Sequence, residues 1–339
     1  MAAHLQILRA RPGATIQDGG RQFYRRFGVT PAGPMDWAAF RTANLALGND
    51  AQAAAIEIGP GGIEICADIA VPIAFCGGGF TWTRDAKALG EAARVTLNRG
   101  ERLKAAPGAS GVFTYLAVAG GFATPATLGS RATHTRAHLG GLDGRMLRDG
   151  DLLPLSAISF PPQADASIVA PWLARDTRPL RVVLGPQDDY FTADGLAAFF
   201  GAEFRVSPQS DRMAYRLDGP KIAHARDFNI VSDGIALGAV QIAGDSQPFV
   251  LMADHQPTGG YPKLGHVARA DIGRLAQLRP GETCRFASVE VEAARQALLA
   301  LEAAAALTRN HVRAWRRVPT SEDLLRINLI SGVVDISDF

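Results

Sequence analysis

Val112-Phe-Thr-Tyr-Leu-Ala-Val118 is an unbroken run of apolar, aromatic and β-branched residues between Gly111 and Gly120. Its length and make-up read as a buried β-strand. Short runs of the same kind recur along the chain: Leu5–Leu8, Ile63–Cys66, Val71–Phe75, Arg94–Leu97, Leu180–Leu184, Ala239–Ala243 and Phe249–Ala253. Gly, Pro, Asn or Asp bounds each one, as turns at strand ends require. Many short strands without long helices between them predict a mainly β chain of barrels or sandwiches rather than parallel βαβ units. Gly59-Pro-Gly-Gly62 and Gly77-Gly-Gly79 read as hairpin turns.

Three helices are expected. Asp36 can cap one that runs through Leu47 and stops at Gly48. A short second one spans Thr192 to Phe200. In the third, Val291, Ala294, Leu298, Leu301 and Ala305 step by three and four, a seam for packing. From Glu290 to Thr308 it would be about 28 Å long, and closing the chain's own barrel is favoured over docking a partner helix. Beyond it, Arg309–Arg317 is basic and Leu324–Ile336 is apolar again.

The chain also echoes itself. Pro12 and Pro186 each follow a strand, Val29–Met35 resembles Val206–Met213, and Leu97-Asn-Arg-Gly-Glu101 resembles Leu278-Arg-Pro-Gly-Glu282. The offsets drift from 174 to 177 to 181 residues, as in a duplicated β module with small insertions. The expected division is residues 1–160, a Pro-rich linker at 161–179, a second module at 180–289, and a helix and tail at 290–339. The length of 339 residues suits two domains.

Composition excludes several classes. Hydrophobic residues make up 47% and charged residues 20%, so disorder is not the main state. The net charge of +2, from 35 basic and 33 acidic residues, is too balanced for a dedicated nucleic-acid binder. No apolar stretch reaches the ~18 residues a spanning helix needs, and Met1–Arg11 lacks a signal-like core. Cys66, Cys76 and Cys284 form neither a disulfide framework nor a zinc motif. A cytoplasmic location is expected, with no membrane or nucleic-acid partner.

Asp254-His-Gln-Pro-Thr-Gly-Gly-Tyr-Pro-Lys263 carries the densest chemistry. It joins a carboxylate, an imidazole, an amide, a hydroxyl, adjacent glycines and one of only four lysines. Gly259 and Gly260 could turn amides toward an anion, and Lys263 could add a point charge. A plain hairpin connection is the competing reading. It is not a Walker A loop, since G-x-x-x-x-G-K-[ST] is absent. Gln209-Ser-Asp-Arg-Met213 gathers hydroxyl, carboxylate and guanidinium in a turn, against the simpler reading of an Asx turn. Asp211 and Arg212 are adjacent and so free for other partners. His134 and His138 have helical spacing, but Thr135 stands where a zincin needs Glu, and no metal site is expected.

These segments belong to a wider pattern. Gln17-Asp-Gly-Gly-Arg21, Gly28-Val-x-Pro-x-Gly-x-Met-Asp36 and Arg41-x-Ala-Asn44 with Gly48-Asn49 open it. Gly185-Pro-Gln-Asp-Asp-Tyr-Phe191, Ser207-x-Gln-Ser-Asp-Arg-Met213 with Tyr215-Arg-Leu-x-Gly219, and Ser232-Asp-Gly234 with Gly238-Ala-x-Gln241 continue it. Asp254–Lys263 and Leu275-Ala-Gln277 with Pro280-Gly-Glu282 complete it. Over residues 5–290 the chain resembles the biotin-dependent carboxyltransferase family, which includes the C subunit of 5-oxoprolinase and relatives within urea carboxylase.

The resemblance implies two cyclophilin-like β-barrel domains in tandem. It implies an ATP-dependent 5-oxoprolinase complex with subunits A and B that opens 5-oxoproline to glutamate. The site residues it implies are Asp211, Arg212, Asp254 and Lys263 for chemistry, with Gln209, Ser210, Gln256, Thr258, Gly259, Gly260 and Tyr261 for a small polar amide. ATP would be used by the complex, and biotin would come only on a separate carrier, because no Met-Lys attachment sequence exists. Alternatives are a carboxyltransferase component acting on urea or a related amide, and a non-enzymatic regulator that sequesters a kinase inhibitor resembling the B subunit. His255, Pro257 and Ala214 depart from the pattern, where Arg, Thr and Gly are usual among relatives.

Overall fold

The computed structural model describes residues 3–315. The chain is mainly β, and every strand read from the sequence is present within two residues of its expected ends. The Thr114–Val118 strand lies between Ala55–Ile58 and Val71–Cys76, antiparallel to both. All five of its residues are buried. Leu116 and Val118 face the apolar core of the N-terminal module, while Tyr115 and Ala117 face helix α1 (Trp37–Leu47). With both faces covered, no polar alternation is left to see. The strand starts two residues later than its apolar run because Gln277 Oε1 accepts from the Val112 and Phe113 amides, at 2.9 and 3.0 Å.

Two sheets make the N-terminal module, one of six strands and one of seven, packed across a shared core. The Gly59–Gly62 and Gly77–Gly79 turns are not hairpins. Each carries the chain from one sheet to the other, since Ala55–Ile58 and Val71–Cys76 lie in the seven-stranded sheet and Ile63–Ala67 and Thr81–Arg84 in the six-stranded one. Gly77 has φ +98°, and a Cβ there would stand 2.8 Å from that of Ala39, so the turn passes under α1 only as glycine. Helix α1 starts and stops where its signals lie: Asp36 Oδ1 accepts from Ala39 N at 3.1 Å, and Gly48 closes it at φ +81°.

The C-terminal module is built on an eight-stranded sheet, with Asp233–Gly234 and Thr258–Gly259 forming a separate two-stranded one. Its Leu180–Leu184 strand pairs antiparallel with Lys263–Val267 and parallel with Phe286–Ser288. That parallel pair joins the module's first and last strands and is not a βαβ unit. Helix α2 (Ala193–Gly201) is capped by Thr192 Oγ1, which accepts from Gly195 N at 2.9 Å. Helix α3 (Arg269–Ala276) was not anticipated. It has eight residues, no capping side chain, and Gly273 within it. Packing of Ile272, Leu275 and Ala276 and the buried Asp271 hold it instead.

Helix α4 (Val291–Ala306) runs as expected and packs on the chain's own body. Only Ala305 of its seam is fully buried, and Val291 is 66% exposed. It lies across α1 and α3, over the junction of the modules. The modules share one core, in which Phe40 and Ala43 of α1 belong to the same apolar cluster as Val182, Phe199 and Phe286. Residues 161–179 are not a free spacer: Ala166–Ile168 adds a strand to the N-terminal sheet, and Val312–Ala314 adds another beside it. The tail Leu324–Ile336 lies outside the described residues.

The echo in the sequence is partly structural. Asn98 N donates to Glu101 Oε2 and Arg279 N to Glu282 Oε2, both at 2.8 Å, with Gly100 at φ +82° and Gly281 at φ +92°. These are the same turn. Val29–Met35 and Val206–Met213 are not equivalent, because the first leads into a helix and the second into the Ala214–Asp218 strand.

Candidate functional site

Arg212 is the centre of the junction between modules. Its guanidinium meets Asp254 side-on, Nε to Oδ2 at 2.9 Å and Nη2 to Oδ1 at 3.0 Å. Nη2 also donates to Gly33 O at 2.7 Å, and Nη1 donates to Glu57 Oε1. Gly33 and Glu57 belong to the N-terminal module, so one side chain of the C-terminal module joins both. Glu57 Oε2 accepts from Met35 N (2.8 Å) and Tyr115 Oη (2.7 Å), and Tyr115 Oη accepts from Asp36 N at 2.7 Å. A continuous polar chain therefore runs from Asp36 to Asp254.

Burial sets the electrostatics. It works against the Arg212 charge, but Asp254 and Glu57 outweigh it and hold that pKa above its usual value. Burial raises the Glu57 pKa, with Arg212 opposing. It also raises that of Tyr115, with the Glu57 charge adding to the effect.

The loops around this pair are fixed by the Gln17–Arg21 segment. Gln17 Oε1 accepts from Gly33 N at 3.2 Å and its Nε2 donates to Thr133 O at 3.1 Å. Asp18 accepts from Gly20 N, Ser130 Oγ and Arg131 N, at 2.9, 2.6 and 2.5 Å. Arg21 is wholly buried. Its Nε donates to Thr127 O (3.0 Å) and its Nη2 to Ala132 O (2.7 Å), but Nη1 has no acceptor among the described residues. Burial lowers its pKa, opposed by Asp18 and Asp254. No described carboxylate bonds to it, so a cation is held within electrostatic reach of Asp254 with one donor open.

His255 is the complement. It is 1% exposed, and its Nδ1 lies 2.6 Å from Met252 O. A carbonyl can only accept, so Nδ1 carries the proton. Burial lowers the pKa and favours the neutral ring. Nε2 is then a bare lone pair, shielded from solvent and without a donor among the described residues.

The far end of the loop forms a second cluster. Lys263, 1% exposed, places Nζ 2.8 Å from Asp233 Oδ2, and its backbone N donates to Gln187 Oε1 at 3.1 Å. The Lys263 hydrogen bond lowers the Asp233 pKa. Between the clusters the loop is no hairpin, because Ala239–Ile242 separates the strands that flank it. Thr258–Gly259 pairs instead with Asp233–Gly234. Neither Gly259 nor Gly260 adopts the left-handed conformation, so no amide nest forms. Gly259 is small for packing, since a Cβ would stand 2.5 Å from Ile235 Cδ1. Gln256 and Thr258 are exposed, and Tyr261 packs edge-on to Phe249.

Of the residues expected from sequence, Arg212 and Asp254 come together and Lys263 stands apart from them with Asp233. Arg212 is not free, despite its adjacency to Asp211. Asp211 makes the Asx turn of the simpler reading, accepting from Met213 N (2.7 Å) and Ala214 N (3.2 Å), and pairs with Arg136 at 2.9 Å. Ser210 Oγ accepts from Arg216 N at 3.1 Å and so shapes the same turn, while Gln209 is exposed. Glu57, Tyr115, Arg21, Asp233 and Gln187 are the partners the expected set lacked. Glu57 had a signal: it is the one charge in the run Ala53–Ile58. Among the described residues no group of three His, Cys, Asp or Glu could hold a metal ion, and no helix is long and apolar enough to cross a membrane.

Comparison with known proteins gives a consistent result. The family described as carboxyltransferase domain, subdomain A and B, matches residues 27–288. The C subunit of 5-oxoprolinase from Escherichia coli (strain K12) is 36% identical over 293 residues, 86% of this chain and 94% of that one. The protein of the same name from Haemophilus influenzae is 36% identical over 294 residues, 86% of this chain and 93% of that one. The crystal structure of the K. lactis urea amidolyase aligns over 94% of this chain with a TM-score of 0.84 and 27% identity. There the chain spans only 21% of the larger protein.

Proposed function

Because the chain belongs to the carboxyltransferase domain family, subdomains A and B, we propose that it is the C subunit of an ATP-dependent 5-oxoprolinase, acting with subunits A and B in the cytoplasm. The names of its relatives support the substrate, and the match over nearly the full length of those relatives supports the same role. The observation that carries the chemistry is the Arg212–Asp254 pair at the module junction, with an unmatched donor on Arg21 and an unmatched acceptor on His255 buried in the Gln17–Arg21 and Asp254–Lys263 segments. An amide offers the opposite pair, a carbonyl that accepts and an N–H that donates. Buried sites of this kind favour a ligand that completes them.

In this reading the lactam carbonyl takes the Arg21 Nη1 hydrogen bond, and the same cation offsets negative charge on that oxygen as water adds to the carbonyl carbon and the C–N bond breaks, the nitrogen leaving as an amine with a proton. His255 Nε2 and Asp254 handle protons, with Arg212 holding Asp254 in place. Gln256 and Thr258, exposed on the same loop as Asp254 and His255, are available to contact the substrate's outer edge. Lys263 is already paired with Asp233 and no amide nest exists, so this loop does not fit a nucleotide phosphate. ATP is therefore assigned to the partner subunits. The test is reconstitution with subunits A and B, ATP and 5-oxoproline; a folded complex that releases no glutamate rejects the proposal.

The match to urea amidolyase favours one other reading, a carboxyltransferase acting on urea or a related amide with biotin supplied on a carrier. Carboxyl transfer from a biotinylated carrier to urea, without glutamate formation, would select it.

A further inference from the structure

A separate cavity of about 520 Å³ opens beneath α4, where α1, α3 and residues 171–178 converge. Neither Arg212 nor Asp254 lines it. One wall is a ladder of charges. Asp271 is shared by Arg181, at 2.8 and 2.7 Å, and Arg274, at 2.9 Å. Asp176 is shared by Arg178, at 3.0 Å from Nε, and Arg274. Three guanidiniums thus meet two carboxylates, and Arg175, which also lines the cavity, pairs with Glu282 at 2.8 Å. The Arg274 Nε hydrogen is shielded from solvent and has no acceptor among the described residues. Leu173, Leu301 and Ala304 add apolar surface to the lining. Asp36, the remaining acid at the cavity, has both oxygens engaged, by Ala39 N and Gln277 Nε2.

We propose that this cavity binds a small organic monoanion, its carboxylate against the Arg178–Arg274 wall and its apolar body against Leu173 and Leu301. The part-exposed guanidiniums of Arg178 and Arg181 give the carboxylate charge-assisted hydrogen bonds. The apolar surface rewards a carbon chain, which inorganic phosphate and acetate lack. The volume lies within the range of ligand sites.

Titration calorimetry on the full chain tests this, with hexanoate, acetate and inorganic phosphate as probes at low ionic strength. Hexanoate should saturate one site and bind at least about tenfold tighter than acetate or phosphate. Ala300→Trp, placed on the exposed side of α4 at the cavity mouth, should abolish hexanoate binding with an unchanged melting temperature. Arg274→Gln should weaken it about tenfold, and the Trp variant decides the matter if the Gln variant fails to fold. Non-saturable binding, equal affinity for hexanoate and acetate, or wild-type affinity in Ala300→Trp would overturn the proposal. None of these outcomes depends on oxoprolinase activity.

Discussion

Replacing Arg212 by Met removes the one cation that faces two buried carboxylates. Glu57 is 0% and Asp254 7% exposed, so neither can recover its hydration in place. Breaking a buried ion pair from one side costs about 3–5 kcal/mol. Two acids are stranded here, and the Gly33 carbonyl loses its donor, so the upper end applies. A loss of about 4–5 kcal/mol is a large share of the 5–15 kcal/mol typical of a folded domain. With a urea slope of about 3 kcal/mol/M, the midpoint should fall by about 1.5 M.

The loss should depend on pH. The Glu57 pKa is raised by burial and lowered by Arg212, so Met raises it further. A raised folded pKa stabilises below the unfolded value, about 4.3, and that stabilisation disappears as pH rises through the folded value. The deficit of the variant should therefore be full at pH 8 and smaller at pH 5, where Glu57 takes up its proton. Glu57→Gln in the same background should restore part of the loss. Urea melts of the three proteins at both pH values are the assay. A deficit below about 1 kcal/mol, or one identical at pH 5 and pH 8, would refute the reasoning.

Tyr115→Phe strands the Asp36 amide and leaves Glu57 Oε2 with Met35 N as its one donor, and should cost about 1–3 kcal/mol by chemical denaturation. Asp211→Asn keeps the turn acceptor and loses only an exposed pair with Arg136, so its unfolding free energy should stay within about 1 kcal/mol of wild type. Lys263→Met keeps the packed stem and frees Asp233, which is half exposed, to water. Because Lys263 stands apart from the Arg212–Asp254 junction, turnover of the reconstituted complex should stay within about tenfold of wild type while the chain remains folded by circular dichroism.

Strand positions and three helix ends were legible because local chemistry sets them. Asp36 and Thr192 cap the helices they precede, and glycine closes α1. Helix α3 was not legible, since long-range packing and the Asp271–Arg181 pair make it, not its own sequence. The sheet-switching turns were misread because a glycine turn looks the same whether or not its flanking strands pair. At the site, Asp254 and Arg212 were visible as chemistry but not as a pair. Their contact joins residues 42 apart, and Glu57 lies another 155 away. The open atoms of Arg21 and His255 are defined by what fails to reach them, which no spacing in the sequence records.

The most direct test compares glutamate release from 5-oxoproline and ATP by the complete complex carrying wild-type chain or His255→Asn. Asn can keep the hydrogen bond to Met252 O while removing Nε2. The wild-type complex should release glutamate, and the variant should assemble but turn over at least about 100-fold more slowly. Equal rates, or no glutamate from the wild-type complex, would contradict the assignment of this junction as the reactive site.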